Sequence, residues 1–573
     1  MQPICDKKRI QGFYKEDYMT TNLMETPMMG YINTMFKREW DSLAFADYGT
    51  DIAYSHKEVF EHIQRLQIVF ELYGIKQGDK IALCDKNSSN WAVSFLSVFT
   101  YGAVGVPLLA DFHIDQIENL TKHSEAKLLI TSQKVYDSAS ALDKDLLIDI
   151  TTFRPFAEKE GKDTQLTKIF KQADEVFAQR FPEGVKADDV QFADVDMEAL
   201  ALISYTSGST GNPKGVMLPY RTFWSNVVFC HEYLPRPTEQ DQFMSILPMA
   251  HMYGFSIEFL YPMTTGRPIY LLTRIPSPQV LLKAFADVRP FLVVTVPLIV
   301  EKIIQNKVFP VLKTPKMKFL LAIPGIRQII YNKIRKQLID VFGGRFIEVV
   351  FGGAAVNREV DKFLAKINFP YTTGYGMTEC APLISYADYR ISKVGSCGKV
   401  VTRMEIKVDS DNPENKPGEL LVRGTNMMTG YYKNPEATAE AITEDGWLHT
   451  GDLVTVDSEG FIFIRGRKKN MLLGANGQNV YPEEVEDVIL SNSLADECVL
   501  VQRDQKFVAL VYVNETTLEK VKLQREQLAY VFESSRAAIN ELLPKFVQLT
   551  GFEVREEEFQ KTPKKNIKRF LYV

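Results

Sequence analysis

Short apolar runs recur along the chain between longer stretches of mixed character: Lys80 to Cys84, Ala126 to Thr131, Leu200 to Tyr205, Phe291 to Val296 and Phe346 to Phe351. Runs this short, separated by helix-length connections, predict strands buried on both faces of α/β layers. From Met404 to Arg467 the pattern changes. Met404 to Val408, Glu419 to Val422 and Phe461 to Ile464 lie close together between Asn-Pro, Pro-Gly and Glu-Gly pairs, which predicts an antiparallel sheet or small barrel. After Arg467 a polar run leads to Pro482-Glu483-Glu484, which suits a helix N-terminus. A hairpin from Cys498 to Arg503 and Phe507 to Val513 follows, then a helix around Gln524 to Leu543. The pattern therefore predicts an α/β protein: a large N-terminal body of layered α/β subdomains with a small β-barrel-like subdomain, then a small α+β C-terminal domain. The charged, weakly patterned segment from Thr151 to Asp196 receives no function.

Composition supports a packed protein and excludes disorder, with 45% hydrophobic and 24% charged residues in a chain of 573. Against 72 Asp and Glu stand 67 Lys and Arg, a net charge of −5 that makes no nucleic-acid footprint. An anionic ligand needs a local site. Cys5, Cys84, Cys230, Cys380, Cys397 and Cys498 form no CxxC pair, and the opening MQPICDKKRI lacks the apolar stretch of a signal peptide. A cytoplasmic protein with reduced thiols is expected. Apolar stretches such as Phe291 to Val300 fall short of the roughly 18 residues that span a bilayer, so any membrane contact is expected to be peripheral.

The most informative string is Tyr205-Thr206-Ser207-Gly208-Ser209-Thr210-Gly211-Asn212-Pro213-Lys214-Gly215, directly after a predicted strand. Its glycines let backbone N–H groups approach a ligand, while four hydroxyls and one ammonium add donors, a chemistry suited to polyphosphate. The GxxxxGK[ST] pattern does not fit, because Gly215 follows Lys214. The GxSxG elbow of serine hydrolases fails too, because Ser207 occupies the position two before Ser209.

This string resembles the signature loop of the adenylate-forming superfamily, which includes acyl-CoA synthetases, peptide-synthetase adenylation domains and luciferases. Further similar motifs follow in the family's order: Gly352-Gly353-Ala354-Ala355, Tyr375-Gly376-Met377-Thr378-Glu379, Trp447-Leu448-His449-Thr450-Gly451-Asp452, Gly466-Arg467-Lys468-Lys469 and Gly477-Gln478-Asn479-Val480-Tyr481-Pro482-Glu483-Glu484. The resemblance implies ATP and CoA as co-substrates and Mg²⁺ as cofactor. It implies that Thr206, Ser207, Gly208, Ser209, Thr210, Gly211 and Lys214 cradle phosphates, that Glu379 holds Mg²⁺, and that Thr378 contacts the α-phosphate. Tyr375 would stack on adenine beside Gly376 and Met377, with Gly353, Ala354 and Ala355 letting the ring approach, while Asp452 and Arg467 would hold ribose. His251, in Leu247-Pro248-Met249-Ala250-His251, matches a position near the reacting carboxylate; a buried structural histidine is the alternative.

Lys469 matches the family's hinge, which divides an N-terminal domain of residues 1–468 from a mobile C-terminal domain of residues 469–573. One departure stands out. Asn566 falls where the family places its late catalytic lysine, and a neutral amide cannot supply that charge. Lys565 is the preferred substitute, with Lys568 as the alternative.

Val296 to Ile303 resembles the long-chain fatty acyl-CoA synthetase branch, which implies a medium- to long-chain fatty acid carried through acyl-AMP to CoA. An acyl carrier protein as acceptor, or an adenylation-deficient binding protein, are the alternatives. Residues 301–345 hold ten basic and two acidic side chains. Ile326, Ile330, Ile334 and Leu338 recur there at helical spacing, so this segment either touches the inner membrane face peripherally or packs on the body.

Overall fold

The computed structural model describes residues 23–206, 213–274, 276–473, 479–503, 506–545, 547–561 and 567–572. The apolar runs read from the sequence become the central strands. Lys80–Cys84, Val104–Leu108, Leu128–Thr131 and Leu147–Asp149 pair in parallel, and Leu200–Thr206 joins them beside Val104–Leu108. Among the described residues this sheet has eight strands; its far side is extended by the antiparallel strands Lys214–Pro219 and Gly430–Tyr431. The connecting helices cover both faces, which is why the strands read as continuous apolar runs rather than alternating ones.

Two smaller parallel arrangements complete the α/β body. Phe243–Ser245, Ile269–Leu271 and Leu43–Asp47 form one, and Val293–Thr295, Val349–Phe351 and Tyr371–Thr373 form the other. The region expected to be antiparallel holds a four-stranded antiparallel sheet in the order Met404–Asp409, Gly418–Gly424, Leu448–Val456 and Ile462–Arg467. Its edge strand also bonds to the segment before Lys399–Val400, where Ile462 N donates to the Gly398 carbonyl at 2.8 Å and Cys397 N donates to the Ile462 carbonyl at 2.9 Å. Thr151 to Asp196, without assigned function, includes the helix Gln165–Arg180, capped by Thr164 and buried through Leu166, Ile169, Phe170, Ala173 and Phe177.

The tail has its own core. Cys498, Leu500, Phe507 and Val511 of the hairpin pack with Val485 and Ile489 of helix Pro482–Asn492 and with Phe532 and Ile539 of helix Leu528–Leu542. The strand Leu549–Val554 then pairs in parallel with Lys506–Tyr512. Among the described residues, tail and body meet through polar contacts that include Asn357 Nδ2 donating to Ser491 Oγ at 2.9 Å, Arg465 paired with Glu484 at 3.7 Å, and Lys520 Nζ donating to Asn306 Oδ1 at 3.1 Å.

A cluster of aromatic rings ties the first subdomain to the segment that carries His251. Phe95, fully buried on helix Ser89–Phe99, stacks on Trp91 at 5.4 Å and meets Phe255 edge-on at 4.7 Å. Phe255 is the second residue of the π-helical stretch Gly254–Leu260 and stands four residues after His251. Replacing Phe95 with alanine removes both ring contacts and leaves a cavity that rigid neighbours cannot fill, at a cost of about 3–5 kcal/mol. A clear fall in the thermal midpoint of F95A, followed by scanning calorimetry, is the expected outcome.

Candidate active site

The antiparallel pair Leu200–Thr206 and Lys214–Pro219 forms a hairpin whose register places Thr206 opposite Lys214. Thr206 Oγ1 also donates to the Lys214 carbonyl at 3.5 Å, so both ends of the phosphate-binding candidate are anchored in the central sheet. Ser207, Gly208, Ser209, Thr210 and Gly211 lie outside the described residues.

Lys214 leads to the carboxylate expected to hold Mg²⁺. Its Nζ sits over the Tyr431 ring, 4.8 Å from the centroid, while the Tyr431 hydroxyl donates to Glu379 Oε1 at 2.9 Å. Burial, with the Glu379 charge adding to it, pushes the Tyr431 phenol far above its ordinary range, so it remains a donor. Tyr431 arrives by strand pairing: Gly430–Tyr431 lies antiparallel to Lys214–Pro219, with Tyr431 opposite Val216. Glu379 is further held by its own carbonyl, which accepts from Met428 N at 2.8 Å. A partly buried carboxylate, linked through Tyr431 to the ammonium at the hairpin's end, offers the hard oxygen donor that Mg²⁺ takes. Among the described residues no three His, Cys, Asp or Glu gather into a protein-only metal cage.

The turn carrying Thr378 and Glu379 also forms one wall of a largely apolar cavity. His251, Gly352, Gly353, Tyr375, Gly376, Met377 and Thr378 line it with Phe229, Ile257, Leu292, Val350 and Tyr386. Close packing demands glycine at two of these positions. A Cβ at Gly376 would lie 2.1 Å from the Pro382 carbonyl oxygen, and one at Gly352 would lie 2.6 Å from the Tyr253 ring. Ala354 and Ala355 are exposed and do not line this cavity. Among the large apolar side chains on either side of His251, Phe229 lines this cavity, whereas Phe223, Trp224, Met249, Met252, Phe255 and Phe259 belong to the core.

His251 stands on a loop held from two sides by residues the sequence reading did not select. Asn87 Oδ1 accepts from Met249 N at 2.8 Å, and its Nδ2 donates to the Leu247 carbonyl at 2.7 Å. From the other side Glu258 Oε2 accepts from Leu247 N at 2.7 Å and Ile246 N at 3.0 Å. Burial pushes the Glu258 carboxyl well above the usual carboxylate range, while the two backbone N–H donors pull it partly back. A lone glutamate in the apolar run Phe255 to Leu260 was the available sequence signal.

Asp452, the ribose candidate, is 4% exposed, and each oxygen already has a partner. Oδ2 accepts from the Tyr375 hydroxyl at 2.6 Å, and Oδ1 pairs with Arg467 Nε at 3.0 Å across the ladder joining their strands. Burial raises the Asp452 pKa, while Arg467 and the Tyr375 hydroxyl pull it partly back. Asp452, Arg467 and Tyr375 are thus one hydrogen-bonded set, with Tyr375 reaching the cavity wall.

Beyond Arg467 the chain makes a single turn, Lys468–Asn470. Lys468 Nζ pairs with Glu419 at 2.7 Å, and Asn470 Nδ2 donates to Glu483 Oε1 of the tail at 2.6 Å. Lys469 between them is exposed, and partial desolvation followed by the nearby Arg467 charge lowers its pKa. Of the late basic residues, Lys561 pairs with Glu497 and Glu558, and Arg569 with the buried Glu486. Lys565 and Asn566 lie outside the described residues.

A family model described as AMP-binding enzyme matches residues 34–432. Over 559 residues the chain is 28% identical to a long-chain-fatty-acid–CoA ligase of Escherichia coli O6:H1, covering 92% of this chain and 91% of that one. It is also 26% identical over 551 residues to 4-coumarate–CoA ligase 4 of Arabidopsis thaliana, covering 91% and 89%. The fold matches o-succinylbenzoate CoA synthetase from Bacillus subtilis in complex with its acyl-adenylate intermediate, at a TM-score of 0.71, 20% identity, and coverage of 95% and 97%. The family match spans the sheet, the hairpin at Lys214, the cavity wall and Tyr431, and by it this chain belongs to the AMP-binding enzymes.

Proposed function

We propose that this protein activates a medium- to long-chain fatty acid with ATP and transfers it to CoA. In the first step a carboxylate oxygen attacks the α-phosphorus, the bond to the β-phosphate breaks, and pyrophosphate leaves. In the second the CoA sulfur attacks the acyl carbonyl, its proton is lost, and AMP leaves. One observation carries the reading: the Thr378-Glu379 turn is shared by an apolar cavity and by the Glu379–Tyr431–Lys214 chain that ends at the phosphate hairpin. A nonpolar acid and a polyphosphate can thus meet at one turn.

The barrier in the first step is the approach of two anions, so positioned positive charge should dominate the rate. Mg²⁺, which a fold neighbour binds together with ATP, would neutralise phosphate charge. Glu379 would be its protein ligand, with phosphate and water supplying the rest. Lys214 is held by the Tyr431 ring beside this position. Thr378 is buried at the junction and would donate to the α-phosphate. His251 would orient the acid from the opposite wall. The Asp452 and Arg467 set would bind ribose through the lone pairs that Tyr375 leaves over. Lys565 would bring the tail's charge to the reacting groups, and rotation about Lys469 would exchange it for the Gly477 to Pro482 loop before thiol attack.

The fatty-acid assignment rests on the apolar lining and on the resemblance of Val296 to Ile303 to the long-chain branch. Release of AMP with ATP, Mg²⁺ and CoA across an acid panel tests it. Saturated acids from about eight carbons upward should exceed aromatic acids, since each buried methylene adds roughly 0.8 kcal/mol. Preference for an aromatic or short acid would overturn the assignment, and AMP release without CoA dependence would point to a carrier-protein acceptor.

Acid-dependent exchange of pyrophosphate into ATP isolates the first step. Glu379→Gln should lower it by about two orders of magnitude or more. Lys565→Ala should do the same and Lys568→Ala much less; the reverse order would give Lys568 the role.

Tyr386, on the cavity wall, donates its hydroxyl to Glu348, which burial raises from its ordinary 4.5 to about 8. The folded protein therefore keeps a proton that the unfolded chain releases above pH 4.5. This contribution is full below about pH 4.5 and falls as pH rises to about 8. Glu348→Gln should flatten the decline of the thermal midpoint across that window, and an unchanged pH profile would refute the assignment.

A further inference from the structure

Residues 298–341 form a string of short helices on the body: Leu298–Ile303, Ile304–Val308, Phe309–Leu312, Pro315–Ala322 and Pro324–Val341. Prolines open the last two helices, and the residues before them, Thr314 and Ile323, are extended, so the chain turns sharply at both places. The helical stripe expected from the sequence is only half correct. Leu338 and Ile334 face the core together with Tyr331, whereas Ile326 and Ile330 do not join it. Helix Pro315–Ala322 buries no residue at all.

The apolar side chains here point outward instead. Phe319 is 71% exposed, Ile329 68%, Val311 52% and Ile323 39%. Isolated exposed apolar residues need no explanation, but four within nineteen positions, three of them on or between helices Pro315–Ala322 and Pro324–Val341, do. Between Val311 and Lys336 the chain carries seven basic and no acidic side chains, in a protein of net charge −5. Lys313, Lys316, Lys318, Arg327 and Lys333 are exposed, and none has an ion-pair partner among the described residues. The unoccupied charge is therefore available to a partner.

We propose that this helical hairpin, centred on Phe319 and Ile329, docks the protein on an anionic lipid bilayer. Large apolar side chains interleaved with long basic ones match both layers of such a surface: rings and branched chains enter the acyl boundary while ammonium and guanidinium groups remain at the phosphates. Charge complementarity also disfavours the chain's own N-terminus as the cover, because residues 1–22 carry four basic and three acidic side chains. No helix among the described residues is long and apolar enough to cross a membrane, so attachment is by surface insertion. The hairpin lies close to the catalytic cavity in the chain. Leu298 starts the segment two residues after Val296, whose side chain approaches Gly353 of the cavity wall at 3.9 Å from an ideal Cβ. The inference does not need the acid to be fatty, since the surface attracts lipid whatever the cavity accepts.

Flotation of the full chain with vesicles of phosphatidylcholine, with and without about one-third phosphatidylglycerol, tests this. The protein should float with the anionic vesicles only, and raising salt from about 0.1 to about 0.5 M should weaken binding severalfold. Phe319→Glu and Ile329→Glu should each weaken it about tenfold or more. Joint replacement of Lys313, Lys316 and Lys318 by glutamine should do likewise. Thermal midpoints and AMP release with a soluble medium-chain acid should stay at wild-type values in these variants; Phe319→Ser serves as second variant if the glutamate misfolds. Equal flotation of wild type and variants, failure to bind anionic vesicles, or a Phe319-dependent dimer in solution would each overturn the proposal.

Discussion

The pairing of two residues, Gly430–Tyr431, with the hairpin strand Lys214–Pro219 is the constraint on which the site depends. Without it Tyr431 would have no fixed position, and Lys214 and Glu379 would be two charges on separate elements. With it, one phenol presents its ring to the ammonium and its hydroxyl to the carboxylate. The same pairing joins the antiparallel region to the main sheet. Arg221 reinforces the junction by donating to the Thr425 and Met427 carbonyls, and Arg403 pairs with Glu232 across the same boundary. An edge strand this short has little stability of its own, so tertiary contacts must hold it.

Around that junction the protein repeatedly buries carboxyl groups and meets the cost by hydrogen bonding or protonation. Glu258 accepts two backbone N–H groups and orders the loop before His251, and Glu348 receives the Tyr386 hydroxyl at the cavity wall. In the tail Glu486 pairs with Arg569, yet burial still raises its pKa to about 7, so desolvation outweighs the attraction of the guanidinium. These groups organise loops and walls. Asp452 differs in position more than in kind, because its partners Tyr375 and Arg467 are themselves site residues.

Much of the fold was legible because parallel strands covered on both faces must be apolar throughout. Lys80–Cys84 therefore emerges with the bounds its apolar run predicts, and Leu200–Thr206 differs from its run by one residue. The antiparallel region was legible from its turns. Where the pattern misled, packing decided. The isoleucine stripe of helix Pro324–Val341 loses its N-terminal half because the body does not extend beneath it. Likewise Phe223, Trp224, Met249, Met252, Phe255 and Phe259 are as apolar as cavity residues but face the core, since hydrophobicity does not specify which apolar surface a side chain meets.

The sequence by itself determined the chemistry on offer: a hydroxyl-rich glycine loop ending in Lys214, the Thr378-Glu379 pair, Asp452 and Arg467, each recognisable because a motif's spacing is local. It also determined the basic character of residues 301–345, because charge is additive along a chain. Tertiary structure alone decided which groups act together. Tyr431 stands 217 residues beyond Lys214 and 52 beyond Glu379, and Asn87 stands 162 before Met249, so strand pairing and helix packing create their contacts. It alone decided, too, that Phe319 and Ile329 face outward. Burial depends on what lies opposite a side chain in space, and a sequence records only what lies beside it.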